Sequence, residues 1–356
     1  MLQQLIKILA CIALLSVIAA ATSCVNVQSK SHLTEKNDTP ENLLYKKIKD
    51  YRKLYPELTF LTLQGGDDLV HDMLALEIVL GYQPVSMDYE HTAELREDLM
   101  YVSIERIRYM LKTFSPSASL FRVDTLPGWQ KHVCILTINA DEVAATPLNA
   151  TRNLLNLSEA EARSIPQDLQ LSPADYLAFV TDHEVYHCLK SMYVGPQLMS
   201  HKELWGSYNH FLNEQAADTY ALAIHIRNRK EDSNFVKNIL RIRSLSLYNA
   251  DPDHLTCRAI ERLLKIPEEN ITEMSIPEIF EMANDTREAL DTGYDEYIKH
   301  LASTVKAMAE IGVIELVDED LYGKVKDIQT DPEYVKKLVE DTRRCFTELT
   351  GEELRP

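Results

Sequence analysis

TDHEVYHCLK, residues 181–190, holds two histidines four apart, His183 and His187, with Glu184 directly after the first. It sits within SPADYLAFVTDHEVYHCLKSMYV, residues 172–194, where apolar side chains recur at helical steps. Ser172 is placed to cap that helix, Pro173 to open it and Asp175 to occupy the capping-box position. Residues four apart share a helix face, so both imidazoles can aim at one ion. Glu184 is turned by about 100° from His183, toward a water beside that ion rather than toward the ion itself. The spacing suits a metal-assisted hydrolysis, with zinc as the expected metal. A polar helix face with a satisfied core histidine can spell the same letters, so the reading needs a third ligand.

The following helical segment, SHKELWGSYNHFLNEQAADTYALAIHIRNR (200–229), supplies one. Glu214 and Asp218 are again four apart and share a face. Glu214 is the candidate third ligand. Asp218 is the candidate acceptor for a ligating imidazole, which orients the ring and raises its basicity. Ala216 and Ala217 between them allow two helices to approach closely. The bland alternative is a solvated Glu–Asp face. Cys188 lies one step off the His183/His187 face and reads as packing or disulfide rather than ligand.

HEVYH followed by NEQAAD resembles the gluzincin zinc metallopeptidases, which carry H-E-x-x-H and a downstream E-x-x-x-D. The resemblance implies that His183, His187 and Glu214 bind Zn2+, that Glu184 is the general base, and that Asp218 supports a ligand histidine. E-x-A-A-D-x-x-A, ending at Ala221, is closer to the branch of CAAX-prenyl and heat-shock proteases than to thermolysin. That branch has membrane spans near the motif and this stretch has none, though soluble periplasmic relatives exist. The resemblance also implies an edge strand ahead of the active helix for extended substrate, with HVCILTINAD (132–141) as the segment placed for it. Such enzymes add a donor for the oxyanion beyond the third ligand. His254 in NADPDHLTCRAIE is the leading candidate, followed by Arg258, Tyr220 and Tyr208.

The chain as a whole reads as mainly α (α+β): a zincin-like helical domain with a small β-hairpin ahead of the active-site helix. ASLFRVDT (118–125) and HVCILTINA (132–140) are rich in β-branched and aromatic residues, and LPGWQ between them is turn-like. Helices are expected over 41–55, 67–82, 90–114, 234–247, 252–265, 286–312 and 331–347. Ten glycines in 356 residues fit a helix-dominated fold. Residues 42–356 read as one domain, with a C-terminal helical subdomain conceivable from about Ile276.

Residues 1–23 have the order of a secretory signal: one lysine, an apolar run from Ile8 to Ala21, then small residues. The run is short for a membrane span. AATSC resembles a bacterial lipobox with Ala21 where Leu is usual, so Cys24 is the candidate lipidation site, and an ordinary cut after Ala21 or Ser23 fits equally. Residues 24–41 read as a flexible tether. The expectation is export, to the periplasm or outside the cell, with membrane attachment only through an N-terminal lipid. Four cysteines remain, Cys134, Cys188, Cys257 and Cys345, and they allow three full pairings.

A net charge of −18 opposes nucleic-acid binding, because phosphate contacts need Lys and Arg. The expected partner is a peptide or protein substrate. Two rival readings stand beside the peptidase. One is a non-catalytic envelope lipoprotein that uses the same zinc cluster for stability, which would need a fourth protein ligand to close the site. The other is an acidic helical protein without metal.

Overall fold

The computed structural model describes residues 39–63, 116–126, 129–140, 144–155, 170–195, 202, 204–229, 233–317 and 319–351. The signal sequence, Cys24, the tether up to Asp38, and the helices expected over 67–82 and 90–114 lie outside the described residues.

The patterning toward a mainly helical α+β chain holds. Helix α1 (Pro40–Leu54) begins where Thr39 caps Asn42 and Pro40 fills the first turn. A three-stranded sheet follows, built from β1 (Leu58–Leu63), β2 (Ser117–Leu126) and β3 (Trp129–Thr137). The expected hairpin is present: β2 and β3 are antiparallel, with Leu120 opposite Cys134. LTFLTL, which the sequence reading passed over, forms β1 and pairs parallel to β3, with Phe60 opposite Cys134. Strand order is therefore β1-β3-β2. This corrects one expectation: β3 is central, its hydrogen bonds taken on both sides, and it offers no edge to a substrate. A parallel partner is hard to foresee because its signal lies far away in sequence.

Helices α2 (Pro147–Leu155), α3 (Pro173–Tyr193) and α4 (Trp205–Arg229) lead into the centre of the molecule. Ser172 caps α3 by accepting from the Asp175 N–H, with Pro173 at the first position. Both α3 and α4 are buried around most of their circumference, so neither shows the one-sided pattern of a surface helix. Ala216, Ala217, Ala221 and Ala223 are fully buried and let α4 lie close to α3. A disulfide joins Cys134 at the middle of β3 to Cys188 on α3, while Cys257 and Cys345 are free thiols.

The rest is α5 (Ser233–Ser244), α6 (Cys257–Leu263), α7 (Glu268–Glu273), α8 (Ile276–Leu290), α9 (Tyr294–Glu310), a 3-10 turn at Ile314–Leu316, α10 (Glu319–Val325) and α11 (Pro332–Thr350). The single helix expected over 286–312 is broken at 291–293. Gly293 has φ 91°, and its N–H is caught by Asp291 Oδ1 at 2.9 Å, which ends α8 and restarts the chain as α9. The helix expected over 252–265 starts only at Cys257. Ahead of it Ala250 adopts φ 52°, alone among the described non-glycine residues, and turns residues 251–256 into a loop. Two apolar clusters result. One gathers the sheet, α1, α3 and α4. The other gathers Tyr208 and Leu212 of α4 with Leu301, Val305 and Met308 of α9 and Val339 of α11.

Candidate metal centre

His183 and His187 project from α3 toward Glu214 on α4. His183 Nε2 is 2.8 Å from Glu214 Oε2 and His187 Nε2 is 3.3 Å from Glu214 Oε1. The two Nε2 atoms are 3.3 Å apart. One donor atom from each of these three residues falls within 4.8 Å of the others, so the three can hold a metal ion. Glu214 Oε2 is buried and, among the described residues, has no partner in hydrogen-bond geometry. An orphaned carboxylate oxygen facing two imidazoles is what a cation would satisfy.

The surroundings fix the imidazoles. His183 Nδ1 is 2.8 Å from Asp218 Oδ1, so that nitrogen carries the hydrogen and Nε2 is left to face Glu214. Asp218 is fully buried and held by three further bonds: Arg243 Nε donates to Oδ2 at 2.7 Å, an Arg243 terminal nitrogen to Oδ1 at 2.9 Å, and Thr256 Oγ1 to Oδ2 at 2.5 Å. Burial would raise the Asp218 pKa, but Arg243 and His183 outweigh it and hold the carboxyl below its usual range. Asp182, next to His183, takes the Tyr51 hydroxyl at 2.5 Å and Lys47 at 2.8 Å, so α1 is bolted to the ligand helix. The local preference for positive charge is strong. Burial pushes His183 down, yet the Glu214 and Asp218 carboxylates outweigh it and lift the ring to about 9. Such a site takes a proton or a metal cation, in competition.

Glu184 differs from its neighbours. It is buried, and among the described residues no hydrogen bond or ion pair engages its carboxylate. Burial raises its pKa, with the His183 and His187 charges pulling the other way. A carboxylate kept unengaged and raised is suited to accept and return a proton.

His254 reaches the centre from the 251–256 loop. Its Nε2 is 3.2 Å from Glu214 Oε2 and its Nδ1 is 2.7 Å from Asp251 Oδ2, while Asp251 Oδ1 also accepts the His254 backbone N–H at 3.3 Å. The other donor candidates are elsewhere. Tyr220 is fully buried against Tyr186 and Phe280. Tyr208 bonds Asp291 and stacks near Tyr297. Arg258 is exposed and lies over the Tyr334 ring at 5.0 Å. Cys188 is spent in its disulfide.

Sequence reasoning missed His210, whose Nδ1 is 3.1 Å from Glu214 Oε1. The signal was there: His210, Glu214 and Asp218 follow at four-residue steps along α4. Arg243, Asp251, Thr256, Tyr51 and Lys47 had no such signal, because their role depends on tertiary placement. No described helix is long and apolar enough to cross a membrane. No protein-family model, curated protein or solved structure matches this chain.

Proposed function

We propose that the chain is an exported zinc metallopeptidase of the gluzincin type. The observation that carries this is the convergence of His183, His187 and Glu214 in a buried cluster, with an unengaged Glu184 beside it. Two donors at about 2.05 Å from one tetrahedral ion lie about 3.3 Å apart, which is the Nε2 separation between the histidines. The donor set, two imidazoles and one carboxylate, is that of catalytic zinc sites that keep a position open. His254 falls outside the set of mutually close ligand atoms, which favours this open site over one closed for structure alone.

When bound, zinc would polarise the scissile carbonyl and acidify the attacking water. Glu184 accepts the proton of that water and returns it to the leaving amine. His254 Nε2, its ring held by Asp251, donates toward the carbonyl oxygen as charge develops there. Asp218 and Arg243 hold the His183 ring in one orientation. An extended substrate would add to β2, which packs against α3, since β3 has no free side. Export is supported by the signal-like N-terminus and by the Cys134–Cys188 disulfide, a bond that persists in oxidising compartments.

The test is elemental analysis of residues 25–356, purified without chelator or histidine tag, beside Glu214→Ala and Glu184→Gln, followed by a peptide-library assay. The expected result is about one zinc per chain, lost in Glu214→Ala and kept in Glu184→Gln. Cleavage should be present only in the parent protein. Absence of zinc after reconstitution overturns the metal, and cleavage by Glu184→Gln overturns the mechanism.

A further inference from the structure

Another face of α4, beside the one that carries Glu214, borders a cavity of about 640 Å3 between α4, α9 and the start of α11. That volume suits a small organic ligand. Phe211 and Gln215 of α4, Tyr297 and His300 of α9, Tyr334 of α11 and Arg258 of α6 line it. None of the residues gathered around Glu214 in the metal centre does.

Gln215 Oε1, the Tyr297 hydroxyl and His300 Nε2 are covered and have no hydrogen-bond partner among the described residues, so these side chains present little polar surface to the cavity. Gln215 and Tyr297 are only 1% and 3% exposed. The rings form a continuous wall. Phe211 is 5.4 Å from Tyr297 and 5.1 Å from His300, and His300 is 5.3 Å from Tyr334, centre to centre.

The charges point to the ligand's chemistry. Glu296 and Lys299 neutralise each other at 2.6 Å. Asp331 is occupied capping α11, accepting from the Glu333 and Tyr334 N–H groups. Arg258 rests over the Tyr334 ring, and among the described residues no carboxylate lies within ion-pair distance of it. Burial, with the Arg258 charge beside it, lowers His300 to about 4, so this ring adds no second positive charge near neutrality. One unpaired guanidinium above aromatic walls matches a monoanion with a flat apolar body. A guanidinium fork binds a carboxylate through two parallel bonds.

We propose that this cavity binds a small aromatic or flat apolar carboxylic acid, its carboxylate on Arg258 and its body among the rings of Phe211, Tyr297, His300 and Tyr334. The site is independent of the metal centre and stands whether or not the chain is a peptidase.

The experiment is saturation-transfer NMR and calorimetry on residues 25–356 kept in EDTA, so that a metal-bound carboxylate cannot contribute. The probes are phenylacetate, 4-phenylbutyrate and indole-3-propionate, each beside its neutral amide. At least one acid should bind saturably, and its amide should bind roughly tenfold or more weakly, the loss expected for a charged hydrogen bond. Arg258→Gln, at an exposed position, should fold normally by near-UV circular dichroism and weaken the acid by a similar factor while sparing the amide. Thr292→Trp, an exposed lining position, should block both. Failure of all three acids to bind the folded protein overturns the proposal, as does binding that neither variant alters.

Discussion

Helix α4 carries two faces that differ in how they are held. On the first, Glu214 and Asp218 are met by groups from α3, α5 and the 251–256 loop, and Asp218 alone receives four bonds. On the second, Phe211 and Gln215 border an open cavity, and Phe211 packs against the rings of Tyr297 and His300. A face cross-linked from several elements is rigid before any ligand arrives, and removing one partner strands a buried charge. A face that borders open space has fewer such links to lose. Substitutions on the first should therefore be costly with or without ligand, whereas those on the second should matter chiefly for binding.

The largest expected effect concerns Glu184 of α3, an unengaged carboxylate beside the first face. Glu184→Gln should lower peptide hydrolysis roughly a thousandfold or more, within the range for a lost general base, with zinc content and melting temperature unchanged. Loss of zinc in this variant would make Glu184 a structural residue and dissolve its distinction from His183. Asp218→Ala comes next. It leaves the Arg243 guanidinium buried without its carboxylate, so urea unfolding should show a loss of about 3–5 kcal/mol. Arg243→Met in the same chain should recover part of that loss, since the stranded charge goes with it. Equal losses in the single and double variants would mean that the pair is not the source of the rigidity. Third is the link between sheet and ligand helix. Cys134→Ser should cost about 2–4 kcal/mol, typical for a disulfide closing a loop of this order, the two cysteines being 54 residues apart. Cys257→Ser, at a free thiol, should cost much less in the same assay.

What the sequence disclosed follows the same division. His183, Glu184, His187, Glu214 and Asp218 were legible because each pair lies on one helix, where a spacing of four is itself a geometric statement. His254 was legible only as a residue in a suitable place, and Asp251, which holds its ring, not at all: the loop depends on Ala250 turning to φ 52°. Arg243 could not be foreseen, since nothing local distinguishes it from Arg241, which stays partly exposed. The hairpin was visible in composition, and β1 was not, because a six-residue apolar strand has no period that separates it from a buried helical turn. The cavity was invisible for a similar reason. Its walls are spread over α4, α6, α9 and α11, and no one of them alone carries a pattern that marks a cavity.

The smallest expected effect tests the second face without any ligand. A free imidazole titrates near 6.5, and burial, with Arg258 beside it, holds His300 at about 4. Between those values the unfolded chain binds a proton that the folded chain refuses. The stability contributed by neutral His300 is therefore complete above pH 6.5 and is lost as pH falls toward 4, at no more than about 1.4 kcal/mol per pH unit. His300→Phe removes the titration and keeps a ring against Phe211 and Tyr334. Its unfolding free energy should fall less steeply from pH 6.5 to 4 than that of the parent, by a fraction of a proton, while carboxylates elsewhere contribute equally to both. Identical slopes would mean that the cavity does not keep His300 neutral. A bound carboxylate on Arg258 would offset the charge that opposes protonation. The parent slope should then flatten in the presence of a binding acid, and Arg258→Gln should abolish that response, which places acid, arginine and histidine in one cavity.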